Sequence, residues 1–305
     1  METTRPKAPA RSVVVFAHNE AERIAACLGS LQQSGLGPND PIFVVINGTT
    51  DNTASVVESM AKQDKRIKGV VIALGDKANA WSYYANHLAV PDTQLHFFVD
   101  GDVVVSPGAI SAIGEKLAAH PEALAASTLP RGGRTAPSWS NRILREHGMP
   151  GNFYALRGET LARIRALSIN LPVGLIGDDP FLRWLILNNF NPNGPVDRSR
   201  IRPVPEAHFN YTSIPLTNWR GLRALVARQM RYQLRDLQMN LLLRHLRKFG
   251  LGAIPRRIDS LYDQATPMLA LKGKFTLRKV AFYFTYRRVR AYRSRPSMGP
   301  AWYET

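Results

Sequence analysis

The chain has 305 residues, 45% of them hydrophobic and 21% charged, and a formal net charge of +17. That length and apolar share suit one large folded domain or two modest ones, and exclude an intrinsically disordered chain. A lone cysteine, Cys27, excludes an internal disulfide and fits a reducing cytoplasm. The N-terminal METTRPKAPARS lacks the apolar core of a secretory signal, and no apolar run approaches the ~18 uncharged residues of a spanning helix. A cytoplasmic protein that is not integral to a membrane is expected.

The charge is unevenly placed. Residues 217–305 hold 19 Lys and Arg against 4 Asp and Glu, so they supply +15 of the total. Two regions are expected: 1–216, near neutral, and 217–305, basic and helical in pattern. A basic surface of this kind meets nucleic acid, anionic lipid or a phosphorylated ligand.

Residues 12–17 (SVVVFA) read as a buried strand. His18-Asn19-Glu20 follow, then a helix with Ile24, Leu28 and Leu31 on one face and Asn19 as its N-cap. Gly35, Gly37 and Pro38 end it. Residues 41–46 form a second strand that leads through Asn47-Gly48-Thr49-Thr50-Asp51-Asn52-Thr53 into a helix reaching about Gln63. Residues 70–73 form a third, followed by Gly75-Asp76-Lys77 and a helical stretch to about His87. The fourth lies in 95–105 (LHFFVDGDVVV) and stops at Asp100 and Asp102, with only Gly101 between them.

The strand starts, near 13, 42, 70 and 96, recur about every 28 residues. Such alternation predicts an α/β fold with a Rossmann-like, mostly parallel central sheet flanked by helices. Ligands bind these sheets at the carboxyl ends of the strands, and all four polar clusters fall there. Two carboxylates one residue apart either cap the next helix or share a divalent cation. Mg2+ or Mn2+ suits oxygen ligands of this kind, with phosphate completing the shell, and four polar strand ends at one edge favour the cation. The 47–53 loop has neither a dinucleotide nor a P-loop fingerprint. Asn47 offers a donor and an acceptor to a base or ribose, whereas Thr50 and Asp51 suit helix capping.

Taken together, Phe16-Ala17-His18-Asn19-Glu20, residues 45–53 (VINGTTDNT), Gly75-Asp76-Lys77-Ala78-Asn79-Ala80 and Asp100-Gly101-Asp102 resemble the motifs of family 2 glycosyltransferases of the GT-A fold. The likeness covers roughly the first two-thirds of the chain. Phe16 replaces the Pro of the family's P-x-x-N-E, and Asn47 stands where an Asp often contacts the nucleotide base. The resemblance implies a UDP- or GDP-sugar donor contacted by Ala17, Asn19, Glu20, Asn47, Asp76, Lys77, Asp100 and Gly101. It puts Asp100 near the ribose and Asp102 on Mn2+ or Mg2+ at the diphosphate, where the cation neutralises charge growing on the leaving group.

In the second half, Asp178-Asp179-Pro180 suits the first turn of a helix. Adjacent acids there either serve the helix dipole or perturb each other's pKa. The family's E-D motif falls at this point. It implies Asp179, beside Asp178, as the general base that takes the acceptor hydroxyl's proton in an inverting displacement. Residues 151–158 (GNFYALRG) resemble the segment leading to the acceptor side. His208 is either structural or a further metal contact. Arg228-Gln229-Met230-Arg231-Tyr232 resembles the Q-x-x-R-W element of processive members, with Arg228 and Arg231 as diphosphate contacts. Residues 272–295 mix Phe, Tyr and Val with dense Lys and Arg, which suits either an interfacial helix at the inner face of an anionic membrane or ordinary surface charge around a core-packing helix.

The expected acceptor is a sugar, a lipid-linked glycan or a small molecule. A nucleic-acid-binding reading of the basic tail leaves the two acidic pairs unexplained, since without a metal they repel phosphate, so no nucleic-acid partner is expected. A nucleotidyltransferase would need a Gly-rich, basic N-terminal loop, yet the first strand runs straight into His18.

Overall fold

A computed structural model describes residues 9–211 and 219–264, with side chains omitted across 219–225. The expected boundary at 216/217 and the basic stretch 272–295 both lie outside the described residues.

The apolar runs form strands β1 (Arg11–Ala17), β2 (Ile42–Asn47), β3 (Ile67–Ile72) and β4 (Leu95–Asp100), and later segments form β5 (Val104–Val105), β6 (Ala125–Arg131), β7 (Phe153–Arg157) and β8 (Ile201–Asn210). All eight join one sheet in the order β3-β2-β1-β4-β7-β6-β8-β5. The first four are mutually parallel, with Val13 opposite Ile42 and Phe16 opposite Asp100. Beyond β4 the sheet is mixed: β7 is antiparallel to both β4 and β6, β8 is parallel to β6, and β5 is antiparallel to β8. The α/β class and parallel first half are as predicted. Strand direction in the second half follows from how the connections cross the sheet, which hydrophobic pattern does not encode. The third strand begins at Ile67, earlier than expected, because Lys68 and Gly69 interrupt its apolar run. It is an edge strand with Val71 61% exposed, so less apolar sequence suffices.

Helices α1 (Ile24–Gln32), α2 (Thr53–Gln63), α3 (Lys77–Tyr83), α4 (Ala109–Ala118), α5 (Ala136–Glu146), α6 (Gly158–Ala166), α7 (Asp178–Leu187) and α8 (Trp219–Phe249) cover the sheet. The two-residue period of β1 divides the core. Val13 and Val15 pack with Leu28 of α1 and Ile110 of α4, whereas Val14 and Phe16 pack with Trp81 of α3, Leu182 of α7 and Leu241 of α8. The far half of α8 is thus part of the same core as β1 and β4. On that face Phe98 stacks between Trp81 and Tyr154, at centroid distances of 5.5 and 4.9 Å, and Trp81 Nε1 donates to the Tyr154 hydroxyl at 2.8 Å. This stack is two residues along β4 from Asp100 and fixes the start of α3 beside it.

Candidate active site

The ends of β1 and β2 are fastened to each other by short polar side chains. His18 Nδ1 donates to the Asn47 carbonyl at 2.7 Å, and Asn19 Oδ1 accepts from Thr50 N at 2.9 Å. Asn19 holds a left-handed backbone (φ 56°), a conformation asparagine tolerates. Glu20 N donates to Thr53 Oγ1, and Asp51 accepts from Ala21 N and Thr53 N. Asn47 closes β2 and is buried; Asn19 and Asp51 line a small hollow of about 450 Å³ beside it. Glu20 pairs with Arg23 at 2.7 Å, and burial raises its pKa despite that pairing.

The turn after β4 is held against β1. Gly101 N donates to the Phe16 carbonyl at 2.9 Å, and a Cβ at Gly101 would lie 3.0 Å from that oxygen and 3.4 Å from Ala17 Cα. Glycine between the aspartates therefore lets the turn seat on β1. Asp100 forms an ion pair with Lys77 at 2.5 Å, and the same ammonium reaches Asp178 at 3.6 Å and the Gly151 carbonyl at 3.1 Å. Burial pushes the Asp100 carboxyl up to about 6; Lys77 opposes this, and Asp178 and Asp102 add to it. Burial works against the Lys77 charge, but Asp100 and Asp178 more than reverse it and hold its pKa above the usual lysine value. One lysine thus joins both acidic pairs predicted from sequence.

Asp102 is half-buried, and among the described residues it has no hydrogen bond or ion pair. No three His, Cys, Asp or Glu side chains converge on a metal among the described residues. A hard cation at Asp102 would have to take its other oxygens from a ligand and water, as Mg2+ commonly does.

Asp178 and Asp179 open α7 after Gly177, whose φ of 96° suits glycine; a Cβ there would meet Arg235 Cδ at 2.6 Å. Asp178 is buried, whereas Asp179 faces a cleft of about 870 Å³ between α5, α7 and α8. Burial first, and then Asp178, push the Asp179 carboxyl up to about 7, against Lys77 and Arg235. Near neutrality it can exchange a proton, as a general base must.

Several expectations are corrected. Asn19 does not cap α1, which starts at Ile24; its side chain holds the 47–53 loop instead. Asp76 caps α3, accepting from Asn79 N at 2.7 Å, and its second oxygen accepts from Gly174 N at 2.8 Å. Each oxygen thereby accepts a backbone N–H, which makes Asp76 a tether between α3 and the 174 turn. His208 sits opposite Ser106, and Ser106 N donates to its carbonyl at 3.0 Å. That position lies on the far side of β5 along the chain from Asp102, and burial followed by Arg131 lowers the His208 pKa. Arg231 is exposed and does not line the cleft, whereas Arg228 does. Sequence reasoning missed Trp139, Arg142 and Arg235 in the cleft wall and Asn152, which holds Asp100 through its backbone carbonyl at 2.9 Å. Arg235 was detectable, since 228, 232 and 235 follow the i, i+4, i+7 spacing of one helix face.

Polar strand ends on a half-parallel sheet, joined through a lysine to an acidic pair at a cleft, define a glycosyltransferase of the GT-A type. The sequence profile of "Glycosyl transferase family 2" matches residues 12–174, and the chain belongs to that family. No curated protein matches the chain significantly. Among solved structures, the mannosyltransferase PcManGT from Pyrobaculum calidifontis, in complex with GDP-Man and Mn2+, is similar in fold: TM-score 0.59, 18% identity, over 94% of this chain and 83% of that one. S. aureus TarS 1-349 with UDP-GlcNAc matches at TM-score 0.50 and 15% identity, over 93% and 91%. Glucosyl-3-phosphoglycerate synthase from Mycobacterium tuberculosis, with Mn2+ and UDP-glucose, matches at TM-score 0.50 and 18% identity, over 75% and 78%. No helix among the described residues is long and apolar enough to cross a membrane.

Proposed function

We propose that the chain transfers a sugar from a UDP- or GDP-sugar to an acceptor hydroxyl with inversion at the anomeric carbon. The observation that carries this reading is Asp179: a carboxyl raised to about 7, facing an open cleft and linked through Asp178 and Lys77 to the Asp100-Gly101-Asp102 turn. The nucleoside occupies the ends of β1 and β2, with Asn47 toward the base and the Ala17–Gly101 contact forming the floor. Asp102 would hold Mn2+ or Mg2+, which would supply positive charge to the departing diphosphate. Lys77 keeps Asp100 in place and tempers the negative charge beside it.

In the transfer step the acceptor oxygen forms a bond to the anomeric carbon while the bond from that carbon to the diphosphate oxygen breaks. The electron pair leaves with the nucleoside diphosphate, and the hydroxyl proton passes to Asp179. Thermal shift with UDP-glucose, UDP-GlcNAc and GDP-mannose, each with and without Mn2+, tests the donor half. A ligand that binds only the native state raises the melting temperature. Absence of any metal-dependent shift across the set refutes the reading.

A further inference from the structure

The cleft above Asp179 contains four arginines, Arg142, Arg183, Arg228 and Arg235. Only Arg183 is committed to the backbone, donating to the carbonyls of His147 at 2.9 Å and Glu146 at 2.5 Å. Arg228 and Arg235 lie against the same ring, their guanidinium carbons 5.5 and 5.0 Å from the Tyr232 centroid. Arg228 Nε also donates to the Tyr232 hydroxyl at 2.7 Å. No carboxylate is within ion-pair distance of Arg228 among the described residues, and Asp236 touches Arg235 only at 3.9 Å. Glu146 in the opposite wall pairs with Arg145 at 2.9 Å and also feels the charge of Arg142 and Arg183, so one carboxylate is shared among three arginines. Two guanidiniums gathered at one ring repel each other until an anion lies between them, and planar paired donors fit phosphate oxygens.

We propose that this cleft receives the acceptor, and that the acceptor carries a phosphate ester or diphosphate. Its anion sits at Arg228 and Arg235, with Arg142 opposite, and its hydroxyl-bearing end points to Asp179 in the same cleft. The inference rests on the glycosyl-transfer reading and adds the class of the acceptor. Against four arginines the cleft wall sets Glu146, Asp179 and Asp236. A neutral sugar therefore leaves a surplus positive charge, with Arg228 the guanidinium that no carboxylate reaches among the described residues, whereas a phosphoryl group neutralises it and fixes which end of the molecule meets the base.

The test fills the donor site with UDP or GDP and Mn2+, then titrates glycerol 3-phosphate against glycerol by calorimetry. Vesicles of phosphatidylcholine with and without phosphatidic acid form the lipid arm. Saturable binding of the phosphate ester to the filled enzyme, with no binding of glycerol, is expected; the arm that binds more tightly assigns a soluble or a lipid source. Arg228→Gln and Arg235→Gln should each weaken that binding about tenfold or more, the scale of one charged hydrogen bond, and Arg228→Lys should weaken it less. Binding that disappears once UDP or GDP is present places the anion in the donor site and overturns the proposal, as does undiminished binding by both glutamine variants. Failure of both UDP and GDP to bind in Mn2+ overturns the glycosyl-transfer reading and this inference with it.

Discussion

Replacing Asp179 with asparagine should make the protein more stable and less active at once. In the folded chain the carboxyl titrates near 7 instead of its ordinary 3.8. At 1.36 kcal/mol per tenfold that difference is about 4 kcal/mol; solvent in the open cleft screens it to about 2 kcal/mol. The folded state binds the proton more tightly than the unfolded state, so stability falls as pH rises from about 4 to about 7 and then levels off. Asp179→Asn keeps the shape and removes this fall. Urea denaturation at pH 4 should show wild type and variant alike, and at pH 8 the variant should be ahead by about 2 kcal/mol. Release of nucleoside diphosphate in the presence of acceptor should drop by about 10²-fold or more in the same variant, and in the wild type should rise with pH through about 7. A stability difference independent of pH refutes the assigned burial cost, and undiminished turnover removes Asp179 as the base.

Lys77→Met leaves Asp100 and Asp178 without their shared cation. It should cost about 2 kcal/mol at pH 8 by urea denaturation, less than a fully buried pair because the lysine is partly exposed. The loss should shrink toward pH 5 as Asp100, which titrates near 6, takes up a proton. Asp102→Ala should weaken donor binding about tenfold or more in Mn2+ and leave binding in chelator unchanged, as read by calorimetry. Gly177→Ala imposes a side chain on a φ of 96° and on Arg235, and a melt should show a loss of about 2 kcal/mol.

What was legible in the sequence were the features carried by short stretches. Residues 12–17 and 41–46 announce themselves as strands because both faces of a central parallel strand are covered, so their runs are largely apolar. The acidic turn after β4 was equally plain, since charge ends an otherwise apolar run. The roles of Asp76 and Lys77 were not legible. Their partners, Gly174 and Asp178, lie about a hundred residues away, and no local pattern says which end of the chain folds back onto them. The surroundings of His208 were hidden for the same reason: the sequence shows a histidine after an extended segment, but strand register decides that its backbone pairs with Ser106. The cleft draws its wall from α5, α7 and α8, three elements with nothing in common until they pack.

The adjacent residues Asp76 and Lys77 also limit how this chain can be divided. One grips the backbone at Gly174, the last residue of the segment shared with the family profile, and the other reaches past it to Asp178. A fragment cut at 174 would retain the polar ends of β1, β2 and β4 and lose Asp179 together with Asp178, half of the lysine's counter-charge. Chimeras that join the first 174 residues to a relative's second half therefore have to move positions 76 and 77 together with 174–179, as one inseparable graft.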